Sequence, residues 1–260
     1  MVNPILSKEF HIQMRDRMLF SLAMVYVAII CSVVFGMFWF ASTSNKPIDP
    51  QYGRDIFLIF FIVMNLAVYS ISAGIGSKLI SQERQKANFD LLKITLLKTR
   101  HIILGKILPL FAYIMMLMLL SLPLAIVIMP ISGLSIAGVV LCYLIAFISA
   151  ITFSIIGLMW SSLFRNVRTS TALTYISCGI IAFGTIIAPL ALNQILKIKL
   201  PQISSKIISS LSPFISVFRI VTESDSSFVL AEWELMVLGY LVISAIAISI
   251  TSLKLRNIFG

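Results

Sequence analysis

The chain has few residues suited to acid–base or metal chemistry. His11 and His101 are its only histidines, and neither has a cysteine or carboxylate at metal-ligand spacing. Cys31, Cys142 and Cys178 sit in apolar stretches, odd in number and without paired spacing, as small packing residues do. Serines are plentiful, but no His or Asp accompanies them in an apolar stretch to activate a nucleophile. No Gly-x-x-x-x-Gly-Lys-Ser/Thr run is present to cradle ATP phosphates. Glu232 and Glu234 stand at the mouth of the last apolar stretch, where they reach water, so a carboxylate proton relay has no seat. The expectation is a chain with no catalytic, metal or cofactor-binding residue of its own.

The elements that carry these residues follow from composition. Of 260 residues, 59% are hydrophobic and 12% charged, about half the charge of a soluble domain. Charge is absent from 18–45, 56–77, 107–164, 169–196 and 235–253. About 20 apolar residues cross a hydrocarbon core, so the longest window holds two crossings. The blocks are continuous rather than alternating, which excludes a transmembrane barrel. We expect an all-α membrane protein, one transmembrane domain over 1–260. Its six spans are placed at about 19–41, 56–77, 104–129, 135–163, 170–192 and 233–253. Spans three and four part at Pro130-Ile131-Ser132-Gly133, a turn signal. Pro109 and Pro123 should kink span three. The first stretch is too long for a signal-peptide core and should be retained.

Six spans put both termini on one side. That side carries fourteen Lys and Arg against four acids, the other six against six, so the whole net charge of +10 lies on one face. By the positive-inside rule this face, with both termini, is cytoplasmic. In span four, Ala146, Ala150, Ser154, Gly157 and Ser161 share one helix face, which serves close packing within the chain or a seam between two copies.

Three segments outside the spans have character. In residues 1–18, Leu6, Phe10, Met14 and Met18 recur every four residues among polar groups, the pattern of an amphipathic helix lying in the membrane interface. The plainer alternative is a charged flank that anchors span one. The connection 78–103 is longer than a hairpin needs. Its Glu83-Arg84-Gln85-Lys86 run is followed by Phe89, Asp90, Leu91 and Leu92, a short helix offering an apolar face with charged edges to anionic lipid or to a protein groove. In the outer segment 193–232, Ile203, Ile207, Leu211, Phe214 and Phe218 form a helical stripe that Pro213 interrupts. Helices dipping part-way into the membrane fit it, either as a gate or as a structural lid.

Taken in order, these residues resemble the ABC-2 type permeases, the membrane subunits of a class of ATP-binding-cassette exporters. Asn3, Pro4, Lys8 and Glu9 match the leader of that family. Glu83, Arg84, Asp90, Leu91 and Leu92, then Gly105-Lys106, match its cytoplasmic connection, and Ser212-Pro213-Phe214 match the stretch before the last span. Ala87-Asn88 and Leu96 stand where many members have Gly-Thr and Pro. The resemblance implies that residues 83–92, Phe89 included, form a coupling helix that docks in a cytoplasmic ABC ATPase subunit. It implies too that ATP is bound and hydrolysed by that partner, and that a second permease subunit, identical or homologous, completes the assembly. A multi-pass cell membrane protein of a prokaryote, exporting an amphipathic or lipid-like substrate and binding no nucleic acid, is the resulting expectation. A non-transporting membrane scaffold of the same fold is the alternative. A self-sufficient carrier or enzyme is opposed by the missing ionisable groups.

Overall fold

The computed structural model describes residues 17–43, 50–85, 99–185, 187, 211–222 and 227–259, and among them every regular element is helical. In chain order these are α1 (Arg17–Thr43), α2 (Pro50–Gly76), α3 (Ser81–Gln85), α4 (Thr99–Ser132) and α5 (Ile136–Leu163). Next come α6 (Val167–Gly179), which continues into a π-helical segment (Ile180–Gly184), then α7 (Pro213–Thr222) and α8 (Ser227–Phe259). Five helices among the described residues are long and apolar enough to cross a membrane: Arg17–Thr43, Gln51–Gln85, Gly105–Ser132, Ile136–Leu163 and Trp233–Lys254. The span expected at 170–192 corresponds to α6 and its π segment. This stretch is not among the five, and the residues that would extend it past 187 lie outside the described set.

The charge-free windows mark apolar cores, but helices run past them wherever backbone bonding continues. Thus α2 starts at Pro50 and carries Arg54 and Asp55 within the helix, and α8 starts at Ser227 rather than 233. Pro109, Pro123 and Pro130 all lie inside α4, and the hairpin turn begins only at Gly133, whose φ of 66° suits glycine. The expected turn at 130–133 is therefore confined to its last residue. Ser135 then caps α5, its hydroxyl accepting from the Gly138 N–H at 3.1 Å.

α5 is the axis of the bundle and packs against α2, α4, α6, α7 and α8. Ala146, Ala150, Ser154, Gly157 and Ser161 are all buried, Ser154 and Gly157 against the end of α2 and Ser161 against the turn beyond it, so the small face serves packing within the chain. At its crossing with α2 the backbones nearly touch. A methyl group built on Gly157 would stand 2.7 Å from the Ser77 nitrogen, and one on Gly76 would fall on the Ser154 carbonyl. α1 lies at the edge against α2 and α4. Leu19, Ala23, Tyr26, Ile30 and Val34 form its buried face, while Phe20, Met24, Phe35 and Trp39 stay exposed, as a lipid-facing surface requires. Tyr113 Oη fastens it to α4 by donating to the Leu19 carbonyl at 2.9 Å.

α7 does not lie across the end of the bundle. At its start, Ser212 Oγ donates to the Ala182 carbonyl at 3.1 Å, well along the α6 rod, and Phe214 stacks on Phe183 with centroids 5.5 Å apart. Near its other end, Ile220 reaches Gly138 in the first turn of α5. The helix therefore rises from inside the bundle to the hairpin end. Pro213 opens it instead of interrupting a stripe, as proline at a first helical position does. The expected stripe is corrected accordingly: Ser216, Val217, Ile220 and Val221 are buried, and Phe218 is exposed. Ile203 and Ile207 lie outside the described residues.

Candidate coupling joint at the end of α2

At the end of the bundle opposite the hairpin, α2 stops at Gly76 and the chain turns through 77–80 into the short α3. A helix end leaves carbonyls without partners, and a new helix leaves N–H groups without partners. Here the backbone N–H groups of Ser77, Lys78 and Leu79 close the last carbonyls of α2, and side chains from other helices meet groups of the turn and the start of α3. Ser161 of α5 accepts from two N–H groups, those of Ile80 and Ser81, each at 2.8 Å. It acts as an N-cap supplied from a distant part of the chain. Ser170 of α6 donates to the Ser77 carbonyl at 2.9 Å, and Ser81 Oγ donates to the same oxygen at 2.9 Å. The Ser77 hydroxyl donates to Gly74 and lies 3.0 Å from the Thr171 hydroxyl. From α4, Lys106 Nζ donates to the Leu79 carbonyl at 3.2 Å and pairs with Glu83 Oε1 at 2.7 Å.

Beneath this polar layer Ile80 and Leu158 are buried together, with Leu79 and Ile107 against them. Four helices, α2, α4, α5 and α6, thus hold one nine-residue stretch of backbone, 77–85. Lys106 is only 4% exposed and Glu83 27%. A buried ammonium persists where a carboxylate and a carbonyl compensate its lost hydration. Glu83 Oε2 has no hydrogen-bond partner among the described residues. Arg84 lies half-buried, close enough to Arg165 for the two charges to repel.

Of the sequence-predicted site residues, Glu83 and Arg84 fall on α3 at this joint. Phe89, Asp90, Leu91 and Leu92 lie outside the described residues, as do Leu6, Phe10 and Met14. Met18 is described; it is the second residue of α1 and mostly exposed. Lys106, counted among the basic residues of the cytoplasmic side, is buried in the joint. Ser77, Ser161, Ser170 and Thr171 were missed as functional residues. Ser161 was visible as the end of the small-residue face, but its bond to α3 depends on a crossing that no local pattern encodes.

The arrangement ties the turn after α2 to α4, α5 and α6. The hydroxyls of the joint are engaged in bridging backbone groups, and no cluster of metal ligands occurs among the described residues. Fold and joint together define a multi-pass helical membrane protein whose polar machinery is gathered at one end of the bundle. The family model described as ABC-2 type transporter matches residues 3–194, and the chain belongs to that family. It is accordingly a non-catalytic membrane permease of an ABC transporter, a type that associates with an ABC ATPase. No curated protein matches the chain.

Proposed function

We propose that the chain forms the translocation path of an exporter and that an ATPase drives it through the joint at 77–85. The observation that carries this reading is the bonding of that stretch to α2, α4, α5 and α6 at once. A push on α3 reaches four helices without first bending a loose loop, as a lever requires. In this reading α3 begins the coupling element, and Phe89, Asp90, Leu91 and Leu92 continue it into a groove of the ATPase. Both termini and the joint face the cytoplasm, the segment beyond α6 completes a sixth span, and residues 1–18 lie in the interface as an amphipathic helix. A second permease subunit, identical or homologous, pairs with this one in the cell membrane of a prokaryote. ATP stays on the ATPase.

The proposed substrate is amphipathic or lipid-like, with α7 as a gate. Support comes from the cluster around Phe214, which meets Phe183 and Tyr69, with Tyr69 meeting Phe153 and Phe153 meeting Tyr240. Withdrawal of α7 would uncover aromatic faces and the hydroxyls of Tyr69 and Tyr240, neither of which has a hydrogen-bond partner among the described residues. The test is co-expression with candidate ABC ATPases. Stable co-purification should be lost when Glu83 and Asp90 are reversed in charge or Leu91 and Leu92 are cut to Ala. Binding that survives all of these changes rejects the coupling assignment.

A further inference from the structure

Beside the joint, an open cleft of 820 Å³ separates the α2–α3 turn from the first turn of α6. Lys78, Gln82 and Gln85 line one wall; Asn166, Arg168 and Thr169 line the other. Among the described residues no carboxylate lines it, and the one acid on α3, Glu83, is already engaged by Lys106. The two cationic side chains come from segments about ninety positions apart, brought together by the fold rather than by a local basic run.

The helix end in the cleft adds to the excess of positive charge. A helix N-terminus carries partial positive charge and is normally eased by an acid or a capping side chain. α6 has no acid in its first turn, holds Arg168 there, and is preceded at the cap position by Asn166, which makes no side-chain cap hydrogen bond. Such a concave, cation-lined and donor-rich surface suits a tetrahedral oxyanion. The guanidinium offers a paired set of donors, and the amides and the Thr169 hydroxyl can meet the remaining oxygens.

We propose that this cleft binds the phosphate of an anionic membrane lipid, held between Lys78 and Arg168. A lipid fits better than soluble phosphate because apolar surface flanks the cleft along the chain. Leu163 and Phe164 just precede it, each 36% exposed, and Tyr175 and Ile176 follow along α6 at 45% and 58%. Acyl chains can lie against these residues while the head group stays at the cleft. The inference rests on this end of the bundle lying at the membrane–water boundary, and it does not require the ATPase to dock at α3. A lipid so placed would bridge the coupling turn and α6, and so bias how the two move together.

The test uses the full chain purified with phosphatidylglycerol or phosphatidylcholine, with retained lipid read by native mass spectrometry. Wild type should retain the anionic lipid in preference to the zwitterionic one. Lys78→Gln and Arg168→Gln should each weaken retention about fivefold, and the double variant about thirty-fold. Lys254→Gln, outside the cleft, should leave it unchanged. Equal retention in wild type and the double variant overturns the proposal. Displacement of the lipid by millimolar inorganic phosphate also overturns it, by assigning the cleft to a soluble anion. If the double variant fails to fold, the two single variants decide, and unchanged retention in both rejects the site. Co-purification with the ATPase is measured on the same variants. Lost ATPase binding with intact lipid retention would make the cleft a protein contact, overturning the lipid site while leaving the permease reading in place.

Discussion

Lys106 and Ser161 do the two hardest things a side chain can do in this protein. Lys106 brings a charge into the bundle at 4% exposure and survives because Glu83 and the Leu79 carbonyl receive it. Replacing it with Met should destabilise the protein by about 2 kcal/mol, less than a fully buried pair would lose because Glu83 keeps contact with water. Adding Glu83→Met should recover much of that loss, since the second change removes the stranded carboxylate. Thermal melts in detergent read this double-mutant cycle, and simple additivity of the two losses would mean that the pair contributes nothing. Ser161→Ala removes the acceptor of two N–H groups at once. Stranding buried donors should cost about 1–3 kcal/mol. Under the proposed coupling, the ATPase should still bind this variant but lose stimulation of transport. Retention of full transport at normal stability would argue that the joint needs no fixed cap.

At the scale of helices, the α2–α5 crossing depends on the absence of side chains. Gly76→Ala would drive a methyl into the Ser154 carbonyl, and Gly157→Ala would press on the Ser77 nitrogen at 2.7 Å. Backbone cannot swing aside as the end of a side chain can, so each change should cost about 1–3 kcal/mol. Gly36→Ala, where a new methyl would meet nothing within 4 Å, should be neutral or slightly stabilising in the same melts. Equal behaviour of all three variants would mean that the crossing tolerates spreading. The glycine and serine spacing on α5 made half of this contact legible, since a face of small residues announces close approach without naming the partner. The long helices were legible too, because the cost of burying charge keeps Lys, Arg, Asp and Glu out of the apolar windows. Their ends were less so: half-buried Arg54 and exposed Asp55 ride in α2 past the apolar window, because charge near a helix end does not stop the helix. The break after Gly76 carried only a weak local signal, for Ser-Lys-Leu-Ile could have continued the helix. What fixes it is Ser161, Ser170 and Lys106, all distant in sequence. Pro213 was misread as a break for a related reason. Pro213 forbids an N–H bond at one position, and only the neighbours decide whether it ends a helix or begins one.

The whole molecule is organised by an uneven distribution of charge. The net +10 would suit a protein that holds nucleic acid, but windows without charge cut the chain into crossings, and the excess basic residues fall in alternate connections. In the structure Lys78, Arg84, Lys106, Arg165 and Arg168 gather around the turn after α2 and the start of α6, with Glu83 the one described acid on α3. The α4–α5 hairpin, Gly133 to Ser135, has no charge at all. Translocating a connection rich in Lys and Arg is strongly disfavoured, so the basic end should remain in the cytoplasm. The consequence can be measured in cells without a ligand or a partner. Reporters inserted at positions 48 and 200 should respond to an external, membrane-impermeant label, and one at position 88 should not. The reporter at 200 is the most informative, because it tests whether the chain crosses again after the π segment that follows α6. An internal signal at 200 with an external one at 48 would leave five crossings and put the C-terminus outside. That outcome would remove the proposed sixth span, and with it the placement of α7 as an outer gate, even though the joint at 77–85 would keep its cytoplasmic position.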